Sequence, residues 1–169
     1  MSFPFAISKF EATVGDFNTY CRVTLACEPL DDRPHDLPIT NISIKQATDY
    51  AAWLSQVTGN HYQIPSVEQW RYAASANGDQ PREDYNCLVK QNGETLKGGN
   101  AIETQSGKSN GWGLYNYIGN VQEFAVIGES TVALGGSFAD HYSDCNSNLT
   151  REHSGEADEI TGFRVIQRF

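Results

Sequence analysis

The 169-residue sequence predicts an α+β domain with helices early, strands late and much irregular backbone. Three observations predict it. Two apolar stripes at helical spacing follow Ser43 and Ser66, each serine having a glutamine three residues on. Two short apolar runs flank Gly128-Glu129-Ser130 and read as a late hairpin. Between them, Gly111, Gly113 and Gly119 stand among Trp112, Tyr115, Tyr117 and Phe124. Glycine serves where the backbone needs positive φ or close approach, and a regular strand gains nothing from it. That segment reads as a folded loop whose frame would hold Asn116 and Glu123, a candidate ion site.

Phe5 to Phe10 mixes apolar and polar residues as an opening strand does. Thr13 and Asp16 form a near capping box, and Val14, Phe17, Tyr20 and Cys21 follow at helical spacing. Residues 28–41 hold three prolines and three aspartates and predict a loop. The next helix starts with Ser43 and Gln46, carries Ala47, Tyr50, Ala51, Leu54 and Val57 on one stripe, and stops at Gly59. Pro65-Ser66 opens another, with Gln69 completing the box and Val67, Trp70, Ala73 and Ala74 buried. Trp53 and Trp70 fall on these stripes and read as core. From Ala76 to about Gly111 the Asn-, Gly-, Asp- and Gln-rich composition predicts long loops. Phe124–Ile127 and Thr131–Leu134 make the hairpin, and Gly162–Ile166 a short closing strand.

Size and charge narrow the function. The length suits one domain, residues 1–169, with a sizeable core. A net charge of −9 argues against a nucleic-acid backbone or an anionic membrane as partner. No apolar run approaches the ~20 residues of a membrane span. No signal peptide is visible at the start, which makes a cytoplasmic location the default expectation. Cys21, Cys27, Cys87 and Cys145 include no CxxC pair, so metal-knuckle and thioredoxin-like readings fail. An even count permits two disulfides. A domain of this size does not need them, and reduced, partly buried thiols are the expectation for a cytoplasmic chain.

Taken in order, the segments FAISKFEATVGDFNTYC, LPITNISIKQATDYAAWLSQVTGNHYQIPSVEQWRYAA, GWGLYNYIGNVQEF, GGSF and GFRV resemble the formylglycine-generating enzyme family, also called sulfatase-modifying factors. The resemblance spans nearly the whole chain and implies a C-type-lectin-like fold, a bacterial or phage source, and a domain able to form the C-terminal part of a larger protein. The family's enzymes oxidise a substrate cysteine with a copper-binding cysteine pair at the third and eighth positions after GGS. Here those positions are Asp140 and Cys145. A hard carboxylate in place of a soft thiolate weakens the preference for Cu(I), so copper is not expected. The tryptophan of the family's GNVWEW, part of the oxygen-side pocket, is Gln122 here. Two departures at the chemistry imply a scaffold kept without its reaction. Cys145 is catalytic only if the chain is an oxidase with an altered site.

The resemblance further implies a calcium site from Asn116, the carbonyls of Gly119 and Val121, and Glu123. The chemistry is independently sensible, since Ca2+ takes several oxygen ligands from carboxylates and carbonyls. The opposing reading is that Asn116 and Glu123 only hydrogen-bond the loop. Asn100 is a remnant at best of a second site.

Between GGSF and GFR, the residues Asp140, His141, Tyr142, Asp144, Cys145, Asn146, Asn148 and Arg151 form a short-side-chain polar stretch suited to recognition. In relatives used as binding modules, including variable proteins of diversity-generating retroelements, this region carries the binding face. A solvated loop is the plain alternative. A transition-metal site from Asp140, His141, Asp144 and Cys145, or a nucleophile pairing Cys145 with His141 or His153, is conceivable but not enforced by spacing. The EPN, QPD and WND motifs of sugar-binding lectins are absent. The expected function is therefore a non-catalytic module binding a protein, peptide or small molecule. The competing expectations are an altered oxidase and a receptor-binding variable protein.

Overall fold

The computed structural model describes residues 3–75 and 81–169. The early part of the predicted long-loop region, residues 76–80, lies outside them. Each expected helix forms behind its expected cap. α1 (Val14–Thr24), α2 (Ile44–Thr58) and α3 (Val67–Ala74) start at Thr13, Ser43 and Ser66, and in all three the capping box is reciprocal. Gly59 ends α2 in the left-handed conformation. The predicted α2 stripe holds for Ala47, Tyr50 and Ala51, which are buried, but Val57 in the last turn is 58 % exposed.

Among the described residues, nine short strands make three sheets. The first orders β1 (Phe5–Ile7), β9 (Ile166–Arg168) and β2 (His61–Gln63), all antiparallel. Phe5 faces Arg168, so the chain ends meet as the lectin-like reading requires. The second is the hairpin β3 (Val89–Gln91) and β4 (Glu94–Lys97). The third orders β7 (Thr150–Glu152), β6 (Ser130–Leu134), β5 (Gln122–Ile127) and β8 (Thr161–Gly162), with β8 parallel to β5.

Three expectations are corrected. The β3–β4 hairpin lies inside the region read as loop. Its turn is Asn92-Gly93, both at positive φ (52° and 80°), a hairpin signal that the polar composition hid. The closing strand is split: β8 and β9 belong to different sheets, and Phe163 to Val165 cross between them. β1 stops at Ile7, after which Ser8 and Ala12 donate to the Val165 and Phe163 carbonyls across the crossing segment.

Two cores result. One stacks α1 on α2 through Phe17, Tyr20 and Tyr50, with Ile39, Phe124 and Phe163 beneath. The other surrounds Trp70 with Leu114, Tyr117, Ile118 and Leu134. The expected reduced thiols are corrected: the four cysteines form the two disulfides that an even count permits, Cys21–Cys27 and Cys87–Cys145. The first closes the C-terminal turn of α1; the second lies in the Trp70 core. Among the described residues, no helix is long and apolar enough to cross a membrane.

Candidate functional site

β6 ends at Gly135-Gly136, both left-handed, and a Cβ on Gly135 would stand 2.3 Å from the Tyr117 carbonyl oxygen. Only glycine lets the chain turn there. The turn aims buried Ser137 at Asp140: its backbone N–H and Oγ donate to Oδ2 at 2.8 and 2.9 Å. Arg151 on β7 forks onto the same carboxylate at 2.6 and 2.8 Å, a bidentate pair. Its Nη1 also reaches Gln122 Oε1 on β5 at 3.2 Å. Gln122 Nε2 donates to Thr161 Oγ1 (2.8 Å), and Thr161 donates to Asp158 (2.9 Å). Asp158 accepts from His153 Nε2 at 2.8 Å. The Gly155 N–H donates to His153 Nδ1 at 2.9 Å, which fixes the hydrogen of the neutral ring on Nε2.

The result is one hydrogen-bonded chain of seven side chains across the face. Burial pushes the Asp140 carboxyl up, but hydrogen bonds from Arg151 and Ser137 outweigh it and hold the acid below its ordinary value. Asp158 is lowered in the same way, burial being outweighed by Thr161 and His153. Asp140 and Arg151 were legible as candidates in the sequence. Gln122 was legible only as a departure from the family's tryptophan, because its contacts with Thr161 and Arg151 span 39 and 29 residues; Ser137, Asp158 and Thr161 were not singled out.

The remaining predicted face residues separate. His141, Asp144, Asn146 and Asn148 are exposed along the loop, with His141 Nδ1 2.7 Å from Ser143 Oγ and Asn146 Oδ1 accepting the Asn148 N–H. Tyr142 is half-buried, its hydroxyl donating to the Arg82 carbonyl and its ring under the Arg82 guanidinium. Cys145 is a correction. It is 3 % exposed and bonded to Cys87, so it is neither a surface ligand nor a thiol. The pairing has a frame: Leu88 donates to the Asp140 carbonyl and accepts from the Tyr142 N–H, laying the two segments side by side. A Cys–His nucleophile is thereby removed, and among the described residues no three His, Cys, Asp or Glu side chains group to hold a metal. The donors do not fit copper: one thiolate position is a carboxylate held by Arg151, and the other is a disulfide sulfur.

The glycine loop folds through left-handed Asn116, Gly119 and Asn120 (φ 51°, 77° and 62°). A Cβ on Gly119 would meet Cys87 Sγ at 2.7 Å. Asn116 Nδ2 donates to the Thr104 carbonyl, while its buried Oδ1 has no protein partner. Glu123 is fully buried. Its Oε2 accepts from Trp70 Nε1 (2.6 Å) and Arg164 Nε (2.7 Å); its Oε1 accepts from Arg164 Nη2 (2.7 Å). Oε1 thus keeps a lone pair, and it and the orphaned Asn116 oxygen are each of the donor type that Ca2+ takes. Trp70, read as core, therefore also orients this carboxylate.

In this α+β scaffold the GNV, GGS and GFR elements come together at one end of the third sheet, beside the start of β5, the end of β6 and β8. The chain belongs to the sulfatase-modifying factor enzyme 1-like domain family, whose model matches residues 2–169. A formylglycine-generating enzyme of Thermomonospora curvata is 27 % identical over 69 % of this chain. The match covers 49 % of that enzyme, so the chain spans about half the length of the curated relative. Among solved structures, PvdO from Pseudomonas aeruginosa superposes with a TM-score of 0.78 at 20 % identity, covering 98 % of this chain and 81 % of that one. CarF gives 0.75 at 19 %, with 98 % and 87 % covered. Treponema denticola variable protein 1 gives 0.79 at 16 %, with 98 % and 84 % covered. These structures share the fold.

Proposed function

We propose that this domain is a non-catalytic binding module that presents the loop from Asp140 to Arg151 to a protein, peptide or small-molecule ligand. One observation carries the reading: where the resemblance puts two copper-binding thiolates, a carboxylate–guanidinium pair and a buried disulfide stand instead. The Asp140–Arg151 pair ties the loop's base to β7, leaving His141, Asp144, Asn146 and Asn148 on the exposed rim. A rigid base with short polar side chains above it suits recognition. Calcium belongs to the proposal as a structural ion at Asn116, Gly119, Val121 and Glu123, supported by the orphaned Asn116 oxygen. The two disulfides favour an oxidising compartment over the cytoplasmic default.

The test is incubation with a cysteine-containing sulfatase-type peptide, Cu(I) and oxygen, read by mass. Unchanged peptide is expected. Conversion of the cysteine to an aldehyde, abolished in Cys145→Ser, would replace this proposal with the altered-oxidase reading.

A further inference from the structure

We propose a second binding surface, a groove along the open edge of β1 that takes an extended, apolar peptide segment of a partner protein with carboxylates at its ends. It goes beyond the loop proposed above and shares no residue with it. A cavity of about 480 Å³ runs between residues 3–7 and the side chains of Tyr72 and Trp112, within the range of binding sites. Phe3, Tyr72 and Trp112 are each about half exposed. Phe5 meets Tyr72 edge-on at 6.3 Å, and Tyr72 meets Trp112 at 4.9 Å, so the rings form one row. An exposed apolar row of this kind marks a contact surface.

The backbone beside this row is unpaired. β1 stands at the end of its sheet, with β9 on one side only. The Pro4 carbonyl accepts from Phe169, and the Ser8 N–H donates to the Val165 carbonyl, so Pro4, Ala6 and Ser8 address β9. The alternation of an antiparallel ladder turns the N–H and C=O groups of Phe5 and Ile7 to the opposite edge. Among the described residues they have no backbone partner there. The edge closes at Lys9, whose carbonyl accepts the Tyr115 N–H. Two donors and two acceptors thus border an apolar trough, and a peptide strand completes that pattern. A compact apolar ligand would fill the trough and leave all four groups unused.

Charge fixes the ends of the segment. No charged side chain lines the cavity, yet a cation stands at either end of it, on a chain of net charge −9. The Arg168 guanidinium lies 3.9 Å from the centre of the Phe3 ring. The Lys9 stem passes Gly113, where a Cβ would stand 3.8 Å from Lys9 Cε, between the lining residues Trp112 and Leu114. Among the described residues neither cation forms a salt bridge. Carboxylates flanking the bound segment complement both, and lysines in the same places are repelled.

The experiment titrates the intact, disulfide-bonded chain into a fluorescein-labelled heptapeptide, valine and phenylalanine alternating between terminal glutamates, and reads anisotropy. Saturable one-to-one binding is expected. Trp112→Ala, folded by circular dichroism, should weaken it at least about tenfold, as loss of an aromatic anchor does. Methylating alternate backbone nitrogens of the peptide should cost about tenfold in one register and much less in the other, since only one edge pairs with β1. The same peptide with terminal lysines should bind at least about threefold more weakly, and Lys9→Glu/Arg168→Glu should reverse that order. Failure of the glutamate peptide to bind would overturn the proposal. So would binding indifferent to methylation or to the charge exchange. Dimerisation of the chain alone, abolished in Trp112→Ala and untouched by the peptide, would give the groove to a second copy instead.

Discussion

Replacing Arg164 by methionine tests the centre of this fold. The guanidinium is fully buried and spends five donors: two on the Glu123 carboxylate, two on the Ser8 and Lys9 carbonyls, one on Tyr115. It therefore joins β5, the N-terminal segment and the glycine loop at one point. Removing one member of a buried ion pair costs about 3–5 kcal/mol, because the other charge stays buried and uncompensated. Each orphaned carbonyl adds about 1 kcal/mol or more where water cannot reach it. A loss of about 5 kcal/mol is expected, a large part of an ordinary domain's 5–15 kcal/mol. Urea unfolding of the oxidised protein measures it. Arg164→Lys keeps the charge but has three donors on a point ammonium, and should still lose much of the stability. Pairing Arg164→Met with Glu123→Leu should cost less than the two single losses added together, since no unpaired Glu123 charge remains. A loss below about 1 kcal/mol for Arg164→Met, or strict additivity in the cycle, would refute the clamp.

Three further outcomes follow from the same contacts. Cys87→Ala/Cys145→Ala opens a link with a sequence separation of 58, for which chain entropy gives about 4 kcal/mol and a fall in Tm of about 8–16 °C; two reactive thiols in the unreduced, denatured parent protein would contradict the pairing. Asp140 has a lowered pKa in the fold, so its stabilisation is complete above the ordinary aspartate value of about 3.9 and is lost as pH falls through the lower folded value. With Arg151 38 % exposed, solvent screening limits this to about 1 kcal/mol, and the gap between parent and Asp140→Asn should close in unfolding curves taken from pH 6 down to 2.5. Calcium at about a hundred times its Kd should raise Tm by about 5–10 °C, and Asn116→Ala should abolish the gain; an equal rise in the variant would remove Asn116 from the ligand set.

Local rules made much of the fold readable. The capping boxes at Thr13, Ser43 and Ser66 and the stop at Gly59 act within one turn of chain, so residue order alone determines them. The β5–β6 hairpin and the glycine loop were legible for the same reason, and the order of motifs carried the family. What the sequence could not decide depends on long-range pairing. Residues 162–166 read as one strand, yet β8 goes to β5 and β9 to β1, because burying Phe163 and Arg164 between two sheets outweighs local continuity. Cys145 read as a thiol beside histidines; the Leu88–Tyr142 backbone ladder brings Cys87 to it instead. Glu123 read as an ion ligand, and its contacts with Arg164 and Trp70, 41 and 53 residues away, appear only once the chain closes. The open edge of β1 beside Tyr72 and Trp112 gave no sequence signal at all. A strand edge is free or paired only once its sheet is assembled, and which side chains border it is a property of the closed fold.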